Sequence, residues 1–202
     1  MASAFDEQAA FERLKRHELL REKAVSAVGG DKTWKLWKVA ALDEVLEMFR
    51  RAQRAELLYA DLHGDFELTY KISMPVPRQP RDGRLVIGDE AVFHLIYPDE
   101  WRFEPPPGAM PVGLLHPFDI FAPAARPALR SILCFGKYLP VGILPKELIL
   151  LGYHVVALQI ARFDETDPAG LFNFEACDFF RDHPEHVPLT EAGLFEDWTT
   201  NS

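Results

Sequence analysis

The sequence predicts an α+β fold, and three observations carry that prediction. Two amphipathic helical stretches come first, near residues 11–28 and 39–59. A block of alternating apolar and polar residues follows, broken by turn signals, at 66–74 and 85–97. After a proline-rich region, a long apolar helical stretch occupies 146–162. Helices and strands are thus grouped in runs rather than interleaved, which argues for α+β over α/β.

In the first stretch Phe11, Leu14, Leu20, Ala24 and Val28 fall near one helical face, and Gly29-Gly30 ends the run. In the second, Leu42, Val45, Leu46, Phe49 and Ala52 form a stripe at spacings of three and four. Arg50, Arg51 and Arg54 lie on its more polar side. Between the two helices Trp34 and Trp37 alternate with lysines. Such interleaving suits base stacking, but packing at a helix start is the preferred reading. Phe66, Leu68, Tyr70 and Ile72 alternate as a strand does. Pro75, Pro77, Pro80 and Asp82-Gly83 then predict a loop and turn. A second extended run ends at Tyr97-Pro98. The stiff Pro105-Pro106-Pro107 follows, then a possible strand at 112–121, a loop at 123–127 and a short apolar run at 129–135. Residues 172–182 read as a shorter helix, and the chain from 193 onward as a loose tail.

Composition narrows the function. The 202 residues are 48% hydrophobic, which fits a globular chain with a sizeable core. The formal net charge is −9, so broad, sequence-blind binding to nucleic acid is disfavoured. Residues 1–60 carry 11 of the 22 basic side chains, whereas residues 150–202 carry two of them and 10 of the 31 acidic ones. The N-terminal third is therefore the candidate partner-facing end, with a solvated helix face as the plainer alternative. The first residues lack an apolar signal core, and 139–161 is too interrupted to span a bilayer. A cytoplasmic protein with reduced thiols and no membrane association is expected.

No glycine-rich phosphate loop, G-x-S-x-G or H-E-x-x-H occurs. His183 and His186 flank Pro184-Glu185, and surface residues are preferred there over a metal site. Two cysteines rule out a disulfide framework and a four-cysteine zinc site. Cys177 sits among aromatics on a helix and reads as packing. Cys134 lies in an irregular segment, Ser131-Ile132-Leu133-Cys134-Phe135-Gly136-Lys137, where a reachable thiol and a buried inert one are both open readings.

One ordered constellation bears on that choice. It runs from Tyr97-Pro98 through Pro105-Pro106-Pro107 and His116-Pro117 to Cys134, then a long helix and Asp167-Pro168. This resembles the ubiquitin-conjugating enzyme family, over about residues 39 to 186, and its divergent bacterial relatives more than the eukaryotic enzymes. The resemblance implies a conjugating-enzyme-like domain at 39–190, a helical extension at 1–38 and a tail at 191–202. It implies that Cys134 accepts a ubiquitin-like protein from an activating enzyme as a thioester and passes it to an amine of a target protein. Such bacterial pathways in part serve defence against phage. No metal or cofactor is expected.

Residue by residue, the resemblance gives Cys134 as nucleophile and His116 as a residue that shapes the neighbouring loop. Asp167, 33 residues beyond Cys134, would orient or deprotonate the incoming lysine; a turn or helix-capping role is the alternative. Arg50, Arg51 and Arg54 match the basic positions that meet the activating enzyme. Three departures stand against this. Phe118 replaces the family's asparagine, and the adjacent Asp119 would repel an oxyanion, so backbone N–H groups would have to supply donors. His116 and Cys134 are 18 residues apart, longer than in the family, so 122–128 is read as an inserted loop. No tryptophan follows the cysteine. The same fold without activity, as a binding module for a ubiquitin-like protein, and a plain α+β scaffold are the alternatives.

Overall fold

The second helix begins at Lys32, seven residues before the predicted start at 39, because Asp31 caps it: the carboxylate accepts the Trp34 backbone N–H at 3.0 Å. The computed structural model describes residues 4–126, 131–160 and 172–196. Helix α1 covers Ala4–Ser26 and α2 covers Lys32–Arg51. The five strands are β1 (Ala55–Asp61), β2 (Phe66–Arg81), β3 (Arg84–Tyr97), β4 (Val112–His116) and β5 (Ser131–Ile132). Helices α3 (Pro145–Val156) and α4 (Phe174–Asp182) follow. The strands form one antiparallel sheet in sequence order. The chain is therefore α+β, with helices before and after a meander.

Several expected boundaries move. The supposed junction between residues 38 and 39 falls inside α2. Trp34, 5% exposed, stacks on Trp37 at 4.3 Å between ring centres, and Trp37 meets Tyr97 at 5.0 Å. The tryptophans are thus packing residues. Helix α2 stops at Arg51, not at residue 59. Ala55 and Leu57 turn into the core on either side of Glu56, which is strand periodicity, and Leu58 and Tyr59 both turn out where β1 slips register against β2. Strand β2 does not stop at Met74 but runs through Pro75, Pro77 and Pro80. It breaks register against β3 between Ser73 and Val76 and between Arg78 and Arg81. Strand β1 pairs with β2 only over 67–72. Beyond it, residues 119–121 lie alongside: Phe121 N–H donates to Pro77 O, and Gln79 N–H to Asp119 O. Prolines lacking an N–H are tolerated at such irregular edges. Asp82 and Gly83 both have positive φ and turn the hairpin, as their sequence suggests.

Helix α3 ends at Val156, and 161–171 lie outside the described residues. The core forms where α2 and α3 meet the inner face of the sheet. Leu42, Val45 and Phe49 of α2 and Leu148, Ile149 and Tyr153 of α3 cover Leu68, Tyr70, Phe93, Leu95 and Leu114, all fully buried. Gly29 joins α1 to α2 beside the β1–β2 turn. A Cβ there would sit 1.8 Å from the His63 carbonyl oxygen, so the junction admits only glycine. Among the described residues no helix is long and apolar enough to cross a membrane.

One core residue carries a testable irregularity. Tyr70 stacks on Phe93 at 5.1 Å, yet its hydroxyl is buried with no hydrogen-bond partner among the described residues. A buried unpaired hydroxyl destabilises by its lost hydration. Tyr70→Phe is therefore expected to leave stability unchanged or raise it by about 1 kcal/mol, read from the urea midpoint. A loss of more than about 1 kcal/mol would show that the hydroxyl is satisfied.

Candidate active site

Cys134 lies two residues past β5. Leu133 N–H donates to Val112 O at 2.9 Å on one side, and Cys134 N–H donates to Ala124 O at 2.8 Å on the other. Arg126 N–H to Ile132 O completes that second pairing. The stretch expected to be an inserted loop thus binds the cysteine segment: Ala122 and Ala125 are fully buried, and Ala125 bridges to Leu133. Farther on, Gly108 N–H donates to Lys137 O at 2.8 Å, so the proline loop at 105–107 is tied directly to the cysteine segment. Cys134 is 7% exposed and Cys177 is 0% exposed. The first is at the rim of the core and the second inside it, as the packing reading of Cys177 requires.

The other site candidates do not gather round this thiol. His116 ends β4 opposite Val92 and is exposed. The β4–β5 register pairs Gly113 with Ile132. Extended by two residues, it sets Cys134 level with Pro111. His116 lies five residues farther along, roughly 16 Å of strand rise. The cause is the antiparallel return of β5, which carries the chain back from the His116 end. Asp119 is at that far end too. Arg78 grips its carboxylate through two bonds, at 2.8 and 3.0 Å. This hydrogen-bonded guanidinium holds the carboxyl below its ordinary range. Asp119 thus ties the segment after β4 to β2, away from the Cys134 segment. Asp167 falls outside the described residues.

The three arginines also part company. Arg50 pairs with Glu47. Arg51 lies 5.2 Å from the centre of the Phe195 ring. Arg54 turns inward, donating to Gly193 O, to Leu194 O at 3.1 Å and to the Tyr153 hydroxyl at 3.1 Å. It cannot present its charge to a partner without releasing the segment around Gly193. That segment is accordingly docked rather than loose, with Leu194 2% exposed. Tyr153 donates its hydroxyl proton to Ala192 O, and the Gln159 amide donates to Thr190 O and Ala192 O. Lys137 stacks over Tyr138, 5.3 Å from its ring centre. No group of His, Cys, Asp or Glu among the described residues could hold a metal ion. His183 and His186 pack against Phe179.

Comparison with known proteins adds no constraint: no protein-family model, no curated protein and no solved structure matches the chain. The site is therefore defined by its own geometry. Sequence reasoning missed the backbone partners Ala124, Val112 and Gly108, since a carbonyl or amide leaves no residue-type signal. It also missed the open aromatic pocket of about 550 Å³ lined by Trp34, Trp37, Tyr97, Phe103 and Gly142. Phe103, Tyr138 and Val141 are 72%, 65% and 69% exposed. They sit on the two loops that the Gly108–Lys137 bond ties together.

Proposed function

We propose that the chain is a ubiquitin-conjugating-like enzyme that carries a ubiquitin-like protein as a thioester on Cys134. The observation that carries this reading is the placement of Cys134. It lies at the rim of the core, on an extended segment bonded on both sides, between the proline loop and the start of the α3 region. The order of elements agrees with the resemblance: helix, antiparallel meander, strand end at Tyr97-Pro98, proline loop, cysteine, buried helix. The exposed apolar loop residues beside it suit a protein partner.

The reaction needs two exchanges. The Cys134 thiolate attacks the donor thioester carbonyl; a new C–S bond forms, and the activating enzyme's cysteine leaves as thiolate. A target amine then attacks the Cys134 thioester. The C–N bond forms, the Cys134 thiolate leaves, and the amine gives its proton to a base. Donors for the oxyanion would have to be backbone N–H groups other than those of Leu133 and Cys134, which are already bonded.

A second reading has its own support. His116 is distant in register, Asp119 is committed to Arg78, and Phe118 is 69% exposed where the family has asparagine. These features favour a binding module that holds a ubiquitin-like protein without chemistry. Incubation with a partnering activating enzyme, ATP and its ubiquitin-like protein separates the two. A thiol-reducible adduct is expected for the enzyme. Co-purification with no adduct would establish the binding module instead.

A further inference from the structure

Helix α1 is held by polar contacts. Among residues 8–26 only His17 and Ala24 are buried, and His17 is 4% exposed. The Nε2 atom of His17 accepts the backbone N–H of Leu57 at 3.0 Å. Leu57 lies on β1, an edge strand, so this N–H points away from β2 and the imidazole takes the place of a neighbouring strand. The bond exists only while Nε2 carries no proton. We propose that His17 is a pH-sensitive latch: α1 is held on the β1 edge while the ring is neutral and is released when the ring takes up a second proton.

The surroundings oppose that second proton. Arg13 and Arg16 flank the ring on α1; Arg13 donates to Gln53 O, and Arg16 pairs with Glu56. From β1 only Glu56 would attract an imidazolium, and Arg16 and Lys71 of β2 already share it. From α2 the Phe49 ring lies 6.4 Å away, and Asp43, Glu47 and Arg50 line the groove; Asp43 is held by Arg21 at 2.5 and 2.9 Å. Burial, then Arg13, hold the ring below its ordinary value of 6.5. The latch is therefore complete above about 6.5, weakens as pH falls below it, and is lost beneath the lowered folded-state value. Release frees the Leu57 N–H as a strand-edge donor. None of this depends on the function proposed above.

The test is amide exchange of the full chain, read by NMR from about pH 7.5 to about pH 5 and corrected for intrinsic rates. In the wild type, Leu57 is expected to exchange about tenfold faster or more at the acid end, while Leu68 in the centre of the sheet is unchanged. His17→Gln keeps an acceptor that does not titrate, and its Leu57 exchange is expected to be flat. A wild-type Leu57 rate that stays flat while the His17 ring titrates would overturn the latch. So would a parallel rise at Leu68, or a rise in His17→Gln equal to that of the wild type.

Discussion

Cys134→Ser is expected to abolish transfer, lowering it at least about a thousandfold, which is ~4 kcal/mol of barrier. The reason lies in the acidity of the attacking group. A thiol releases a usable fraction of thiolate near neutral pH, whereas a serine hydroxyl does not. His116 is too far along β4 to act as a base for it. Any adduct that the serine does form would be an oxyester, which resists thiols and yields to alkali. Cys134→Ala should form none. Cys177→Ala is the matching control, since Cys177 is fully buried in α4, and its adduct should match that of the wild type. Native thiol labelling should modify Cys134 before Cys177 for the same reason. An adduct that survives Cys134→Ala, or labelling confined to Cys177, would remove Cys134 from the mechanism.

The largest stability effect is expected at Lys38. Its side chain is fully buried, and its ammonium reaches Leu62 O at 3.4 Å and Gly64 O, both near the turn between β1 and β2. Asp99 lies 2.8 Å away on the far side, in an ion pair rather than an aligned hydrogen bond. The ammonium also lies 5.7 Å from the Trp34 ring centre. One cation thus joins α2, the β1–β2 turn and the segment after β3. Lys38→Ala removes the donor to Gly64 O and the cation beside Asp99, and leaves a hollow where the aliphatic stem packed, while Leu62 O keeps the Gly29 N–H at 2.9 Å. The expected loss is about 3–5 kcal/mol, read from urea unfolding. Lys38→Met refills the hollow without the donors, so it should recover part of that loss. Equal losses in the two variants would show that the charge, and not the stem, sets the effect.

Much of the architecture was legible because it rests on periodicity. The α2 stripe, the alternation at 66–72 and 91–97, the Asp82-Gly83 turn and the apolar α3 each follow from side-chain pattern. The errors arose where a local signal met a long-range one. Pro75, Pro77 and Pro80 predict a loop, but the 119–121 segment lends β2 an irregular edge partner. Leu57-Leu58-Tyr59 continues an apolar run, but pairing with β2 makes it a strand. At the site, motif order suggested Cys134, and its rim position is consistent with that. The separation of His116 and Asp119 from it was not legible, because strand register is decided by pairing and not by spacing along the chain. Arg54 misled for a similar reason: its partners lie 139 and 140 residues away.

That last separation bears on how the chain acquires its form. Residues 54 and 194 are joined by the Arg54 bond to Leu194 O, which spans 140 positions. At ordinary rates of synthesis, that interval is roughly ten seconds or more. During this time the first helices and the meander can assemble while the guanidinium and the Tyr153 hydroxyl still face water. The segment around Gly193 can close over them only after it has been made. It acts as a late seam of the described fold, so shortening the chain before Ala192 should spare the sheet yet leave this edge open.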